Sequence, residues 1–157
     1  MFYGDTPHTL DEKGRVFVPK RFQEELSKAK DGTRVAYLSR GQDTCLYLFS
    51  EEGFERALAE LNTRVFSGED VRGVKRVFFA NTLRVELDSS GRILIPEKLR
   101  EGAKLGKDVV MVGVGDRAEI WPAAVWQEYE AAQLEKFAHI DQVLAGEPPR
   151  PVERSSD

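Results

Sequence analysis

The chain has 157 residues, 41% apolar and 32% charged, with a formal net charge of −4 at pH 7. That length allows one or two small domains. No run approaches the roughly 18 apolar residues of a membrane span, no basic-then-apolar leader predicts a signal peptide, and the single Cys45 excludes an internal disulfide and points to a reducing cytoplasm.

The first predicted elements surround LDEKGRVFVP (10–19). Asp11 ends an incoming strand, Gly14 supplies the positive φ of a tight turn, and Arg15 begins an outgoing strand. In that strand Val16 and Val18 point one way, Arg15 and Phe17 the other. Pro19 suits a helix start, and Phe22 and Leu26, four apart, give the helix over KRFQEELSKA one apolar face. RVAYLS (34–39) and CLYLF (45–49) read as β-branched or apolar strands joined through a turn at Gly41. A second helix begins near Ser50, with Glu51 and Glu52 in its first turn. Val71, Val74 and Phe78 at helical spacing predict a connecting helix over 67–81.

The pattern then starts again. LDSSGRILIP (87–96) repeats the earlier ten letters 77 positions on, with Asp88, Gly91, Arg92 and Pro96 in register. Leu99 and Ala103 take the phases of Phe22 and Leu26, and the strands DVVMVG (108–113) and AEIW (118–121) lead to a helix near Pro122. Phe54 and Trp126 match at an offset of 72, so the first copy is five residues longer, in its middle loops.

A unit of about 50 residues has too little core to stand alone comfortably. The outgoing strands carry apolar side chains on both faces (Val16 and Val18 against Phe17; Ile93 and Ile95 against Leu94), which predicts cover on both sides. The other copy is the simplest source, so the units are expected to interleave about a pseudo-twofold axis. The predicted fold class is α+β, with module 1 over 5–54, connecting helices over 55–81, module 2 over 82–126, a C-terminal helix over 127–145 and a disordered, Pro-rich tail over 146–157.

A carboxylate at Asp11 or Asp88, across the hairpin from Arg15 or Arg92, would hold the guanidinium in one direction. Two such tips related by a twofold would present two aimed guanidinium groups, the side chain suited to guanine edges and phosphates. The alternative is a hairpin ion pair made twice with no ligand, although an exposed pair contributes only ~0–1 kcal/mol. The net charge does not exclude nucleic acid. From residue 128 on there are seven acids and three bases, so the remainder of the 27 acids and 23 bases balances at 20 each. Within that neutral part, 10–21 holds Lys13, Arg15, Lys20 and Arg21 against two acids. A local basic surface is what matters within a Debye length of ~8 Å.

Lys20 and Arg21 open the first helix near the tip and reach either phosphates or solvent. Arg72, Lys75 and Arg76 supply backbone charge or pair with a neighbouring subunit. GVGD (113–116) lacks the third glycine of a nucleotide loop and reads as a hairpin turn. Cys45 reads as core, His8 completes no triad, and Trp121, Trp126 and Tyr129 read as packing. His and Cys are too few for a structural zinc site; neither a cofactor nor an enzyme activity is expected.

HTLDEKGRVFVPKRFQEEL, VELDSSGRILIPEKLRE and DVVMVGVGDRAEIWPAAVWQEYE together closely resemble the MraZ family, over about residues 1 to 140. The resemblance implies two tandem SpoVT/AbrB-type modules forming a swapped-hairpin barrel within one chain. It implies a cytoplasmic, nucleoid-associated regulator that binds short direct repeats in double-stranded DNA upstream of its own operon, at the head of the division and cell-wall gene cluster. It implies a ring-shaped homo-oligomer. Matching the family's Asp-x-x-x-Arg motifs gives Arg15 and Arg92 as DNA contacts and Asp11 and Asp88 as their positioning partners. Lys13 matches a basic site; the second copy has Ser90 there, so the first tip is expected to bind harder. Two alternatives stay open: an AbrB-like antitoxin whose acidic tail holds a toxin, and a structural ring without nucleic acid.

Overall fold

The computed structural model describes residues 1–61 and 65–146. In chain order the elements are β1 (Asp5–Thr9), β2 (Arg15–Phe17), α1 (Lys20–Gln23), β3 (Ser27–Lys28), β4 (Arg34–Arg40), β5 (Leu46–Phe49), α2 (Glu51–Glu60) and α3 (Glu69–Ala80), then β6 (Thr82–Glu86), β7 (Arg92–Leu94), α4 (Glu97–Gly102), β8 (Asp108–Gly113), β9 (Ala118–Pro122), α5 (Ala123–Phe137) and α6 (Ile140–Ala145). Helix and antiparallel sheet are mixed, as the α+β reading expects.

The strand pairs show how the two copies combine. β1 pairs β8, β8 pairs β9, β9 pairs β5, β5 pairs β4 and β4 pairs β6, while β2 and β7 form a separate two-stranded ribbon. Exchanging each strand for its counterpart (β1 for β6, β2 for β7, β4 for β8, β5 for β9) leaves this set unchanged. The first strand of each copy is therefore hydrogen-bonded into the other copy, and the interleaving expected from the sequence is present. β3 has no counterpart among the described residues; it pairs β4 within the stretch where the first copy is longer.

The two copies fill one core from corresponding positions. Val16, Val18 and Phe22 from the first meet Ile93, Ile95 and Leu99 from the second, with Leu38, Leu46, Leu48, Met111 and Ile120 of the main sheet. Cys45 is also buried, 1% exposed. Ser50 caps α2, its hydroxyl accepting the Gly53 N–H at 3.1 Å. Phe54 on α2 stacks on Tyr37 of β4 and on Phe78 of α3, which fixes one side of α3. Along the rest of α3, Val71, Val74 and Val77 are exposed. GVGD is the β8–β9 turn, with Gly115 at φ +85° and the Val114 N–H donating to the Arg117 carbonyl.

Three expectations are corrected. The helix expected over KRFQEELSKA ends at Gln23, and Ser27 and Lys28 instead pair with β4 as β3. The ribbon strands are not covered on both faces: Val16 and Ile93 are buried, but Phe17 is 37% and Leu94 53% exposed. The other copy, expected to supply the second cover, instead pairs its counterpart strand edge to edge and leaves this face open. The C-terminal segment expected as a single helix is two, α5 and α6, because His139 leaves helical geometry (φ −124°, ψ 38°). The tail expected from 146 falls, after Gly146, outside the described residues.

The chain divides into two compact units, Met1–Ala123 and Ala124–Asp157. In the second, Trp126, Tyr129, Leu134, Phe137, Ile140 and Val143 line a groove along α5 and α6. No helix among the described residues is long and apolar enough to cross a membrane.

Candidate nucleic-acid interface

Each repeat motif folds into the same five-residue turn. The Asp11 N–H donates to the Arg15 carbonyl and the Gly14 N–H to the Asp11 carbonyl; Asp88, Arg92 and Gly91 repeat both bonds. Glycine is required because φ is +84° at Gly14 and +77° at Gly91. The aspartate organises the turn from its side chain. Asp11 Oδ1 accepts the backbone N–H groups of Lys13 (2.9 Å) and Arg15 (2.8 Å), and Asp88 Oδ1 those of Ser90 and Arg92 (both 2.9 Å). These backbone hydrogen bonds hold both carboxyls below the usual carboxylate range, helped by the bonded guanidiniums.

The second carboxylate oxygen aims the arginine. Arg15 Nε donates to Asp11 Oδ2 at 2.7 Å, and Arg92 Nε to Asp88 Oδ2 at 3.0 Å. Because β2 and β7 lie side by side, the tips meet: Arg92 Nη1 also stands 3.8 Å from Asp11 Oδ2. Two guanidiniums from motifs 77 residues apart thus converge on one carboxylate, and each keeps about a third of its side chain exposed.

Each turn is also held by the other copy. The Gly14 carbonyl accepts from the Ile95 N–H and the Gly91 carbonyl from the Val18 N–H, both at 2.9 Å. Side chains repeat this crossing. A Cβ on Gly14 would stand 2.8 Å from the guanidinium carbon of Arg100, on α4, and one on Gly91 2.4 Å from Gln23 Nε2, on α1. Gln23 Nε2 donates to the Val18 carbonyl at 2.7 Å. Arg100 Nε is buried without a hydrogen-bond partner among the described residues. Sequence reasoning missed both braces, although the offset of 77 that aligns the tips also aligns Gln23 with Arg100.

The remaining site candidates divide. Lys13 is exposed at the first tip, where Ser90 stands in the second, and Lys20 is exposed at the start of α1. Arg21 is turned elsewhere: its Nε donates to the Tyr3 carbonyl at 3.1 Å, and the guanidinium lies against the Tyr3 ring and over Gly4. Arg72 is bonded to the Ser67 carbonyl.

Comparison with known proteins finds related chains. The family model described as "MraZ protein, putative antitoxin-like" matches twice, over residues 1–77 and 78–146. A protein named Transcriptional regulator MraZ from Acetivibrio thermocellus is 43% identical over 145 residues, covering 92% of this chain and 97% of the relative. The protein of that name from a Thermoanaerobacter species is 43% identical over 144 residues (92% and 96%), and that from an Arthrobacter species 38% over 146 (93% and 99%).

Proposed function

The chain belongs to the MraZ family, and from that premise we propose that it is a sequence-specific DNA-binding transcriptional regulator whose paired hairpin tips read the duplex. The observation that carries this is the convergence of Arg15 and Arg92 on Asp11, at 2.7 and 3.8 Å. Two guanidiniums fixed in direction and partly exposed are pre-ordered for bidentate contact with guanine O6 and N7. A two-stranded ribbon such as β2–β7 is narrow enough to enter a major groove. Asp11 and Asp88 position the arginines; Lys13 and Lys20 add phosphate contacts; Arg21 braces the N-terminal segment.

On this reading the target is a set of short direct repeats in double-stranded DNA upstream of the chain's own operon, in the division and cell-wall cluster, and the protein is cytoplasmic and nucleoid-associated. The reciprocal strand exchange supports a swapped-hairpin barrel of two SpoVT/AbrB-type modules. One tip pair covers few base pairs, so a ring of copies engaging several repeats gains through effective concentration. The exposed Val71, Val74 and Val77 on α3 support such self-association.

The test is a mobility shift on this gene's own upstream region. Arg15→Ala and Arg92→Ala should each weaken binding by about 1–3 kcal/mol per tip without loss of folding, and binding should fall steeply with salt. Unchanged shifts with both variants would remove the tips from the mechanism. The family's description as antitoxin-like favours one other reading, with a toxin on the apolar groove of α5 and α6. A toxin reading frame beside this gene, and copurification of its product, would establish it.

A further inference from the structure

The ribbon's outward face carries more than two arginines. In the register Arg15 stands opposite Leu94, Val16 opposite Ile93 and Phe17 opposite Arg92. Val16 and Ile93 are 1% and 0% exposed, so they point into the core. The period of two then places Arg15, Phe17, Arg92 and Leu94 together on the other face. The result is a checkerboard in which each guanidinium has an apolar side chain across from it.

Two exposed apolar residues alone need no explanation. These two differ by their surroundings: they lie between the side chains that the proposed function places in the major groove. The groove floor offers hydrogen-bonding edges and one apolar group, the C5-methyl of thymine. Adjacent strands are ~4.8 Å apart, so Phe17 and Leu94 approach the same few base pairs as the arginines. Phe17 is held ready, its Cε2 lying 3.1 Å from where a Cβ on Gly91 would stand and its ring 6.1 Å from that of His8. Ordering it on binding costs little. A protein partner on this face would have to desolvate both guanidiniums and match them; a duplex supplies acceptors for them and methyls for their neighbours.

We infer that Phe17 and Leu94 contact thymine methyl groups next to the bases taken by Arg15 and Arg92, and so set sequence preference. This rests on the DNA reading above. Guanidiniums select guanine; the apolar pair selects thymine over cytosine beside it.

The experiment uses the full chain and a duplex from its own upstream region. Failure to bind that duplex at all counts against the DNA reading itself. With binding established, thymidine is replaced by deoxyuridine, which removes the methyl and keeps every hydrogen-bonding edge. The wild type should lose about fourfold in affinity per methyl contacted. Leu94→Ala and Phe17→Ala should each weaken binding to the thymidine duplex and each remove part of the uracil penalty; the double variant should bind both duplexes equally. Equal binding of both duplexes by the wild type would overturn the inference, as would a full uracil penalty in the double variant. Leu94→Ala alone decides if Phe17→Ala fails to fold. A change of light-scattering mass with Leu94→Ala, without a uracil effect, would assign the face to contacts between copies.

Discussion

Gly91→Ala is the sharpest test of how the tips are built, because a third turn in the same chain provides its control. Ala29 to Thr33 closes with the same two bonds (Ala29 N–H to the Thr33 carbonyl, Gly32 N–H to the Ala29 carbonyl), and Gly32 sits at φ +86°. Nothing among the described residues lies within 4 Å of a Cβ added at Gly32. Gly32→Ala therefore isolates the backbone effect: about 1–2 kcal/mol for a left-handed L-residue, offset by about 0.4–1 kcal/mol because the unfolded chain loses freedom. The net is roughly 1 kcal/mol. At Gly91 the methyl meets Gln23 Nε2 at 2.4 Å and the Phe17 ring at 3.1 Å. Gln23 must leave the Val18 carbonyl, which adds about 1 kcal/mol for the lost hydrogen bond. At Gly14 the obstacle is the Arg100 guanidinium, whose Nε has no hydrogen bond to lose among the described residues, so the cost should lie near that of Gly32. Urea unfolding at constant m-value reads all three. The expected order is Gly91→Ala the most destabilised, then Gly14→Ala, then Gly32→Ala. A Gly91→Ala midpoint no lower than that of Gly32→Ala would refute the brace from the other copy.

Two further outcomes are expected. The Asp11 and Asp88 carboxyls titrate below their ordinary value of 3.8 in the folded chain, so the ordering they give the tips is present above the unfolded value and lost as pH falls through the folded ones. DNA affinity should therefore be level with pH from about 5 to 8 at fixed salt; a decline toward pH 5 would show that other groups position the arginines. The Cys45 thiol, buried and pushed up to about 12, should be inert to alkylating reagents in the native protein and react only on unfolding. Native labelling at the rate of a free thiol would contradict its place in the core.

The repeat, the turns and most elements were legible because their signals are local. Asp-x-x-Gly-Arg writes a turn within five residues, Ser50 with Glu51 and Glu52 writes a helix start, and Val16 and Val18 write a strand face. The interleaving was legible by subtraction, since each unit had more apolar surface than it could bury. How the second copy would cover the first was not legible. Periodicity says that Phe17 and Leu94 share a face, but not whether the neighbouring strand lies beside that face or across it. Contacts spanning tens of residues are equally silent: Arg21 reads as a surface cation until Tyr3 is seen to be its acceptor, and nothing in the sequence marks Gln23 and Arg100 as lying against the opposite turn. Alignment at the offset of 77 would have singled that pair out, but position alone does not reveal a partner in the other copy.

Placing both modules in one chain has a consequence for the proposed readout. In a dimer of identical modules the tips are equivalent, and a symmetric ribbon calls for a palindromic site. Here the tips are related by a pseudo-twofold only, and their chemistry has separated: Lys13 corresponds to Ser90, Phe17 to Leu94, and Gln23 to Arg100. The ribbon therefore has a direction. Turning it around on a duplex exchanges a lysine for a serine and an aryl ring for a branched alkyl group at the same base pairs, so one orientation is preferred. A directional reader fits an asymmetric sequence, and several such readers joined head-to-tail by a heterologous interface fit copies of that sequence repeated in the same sense. On the proposed readout, a preference for repeats in the same sense follows from the divergence of two tips that duplication made alike.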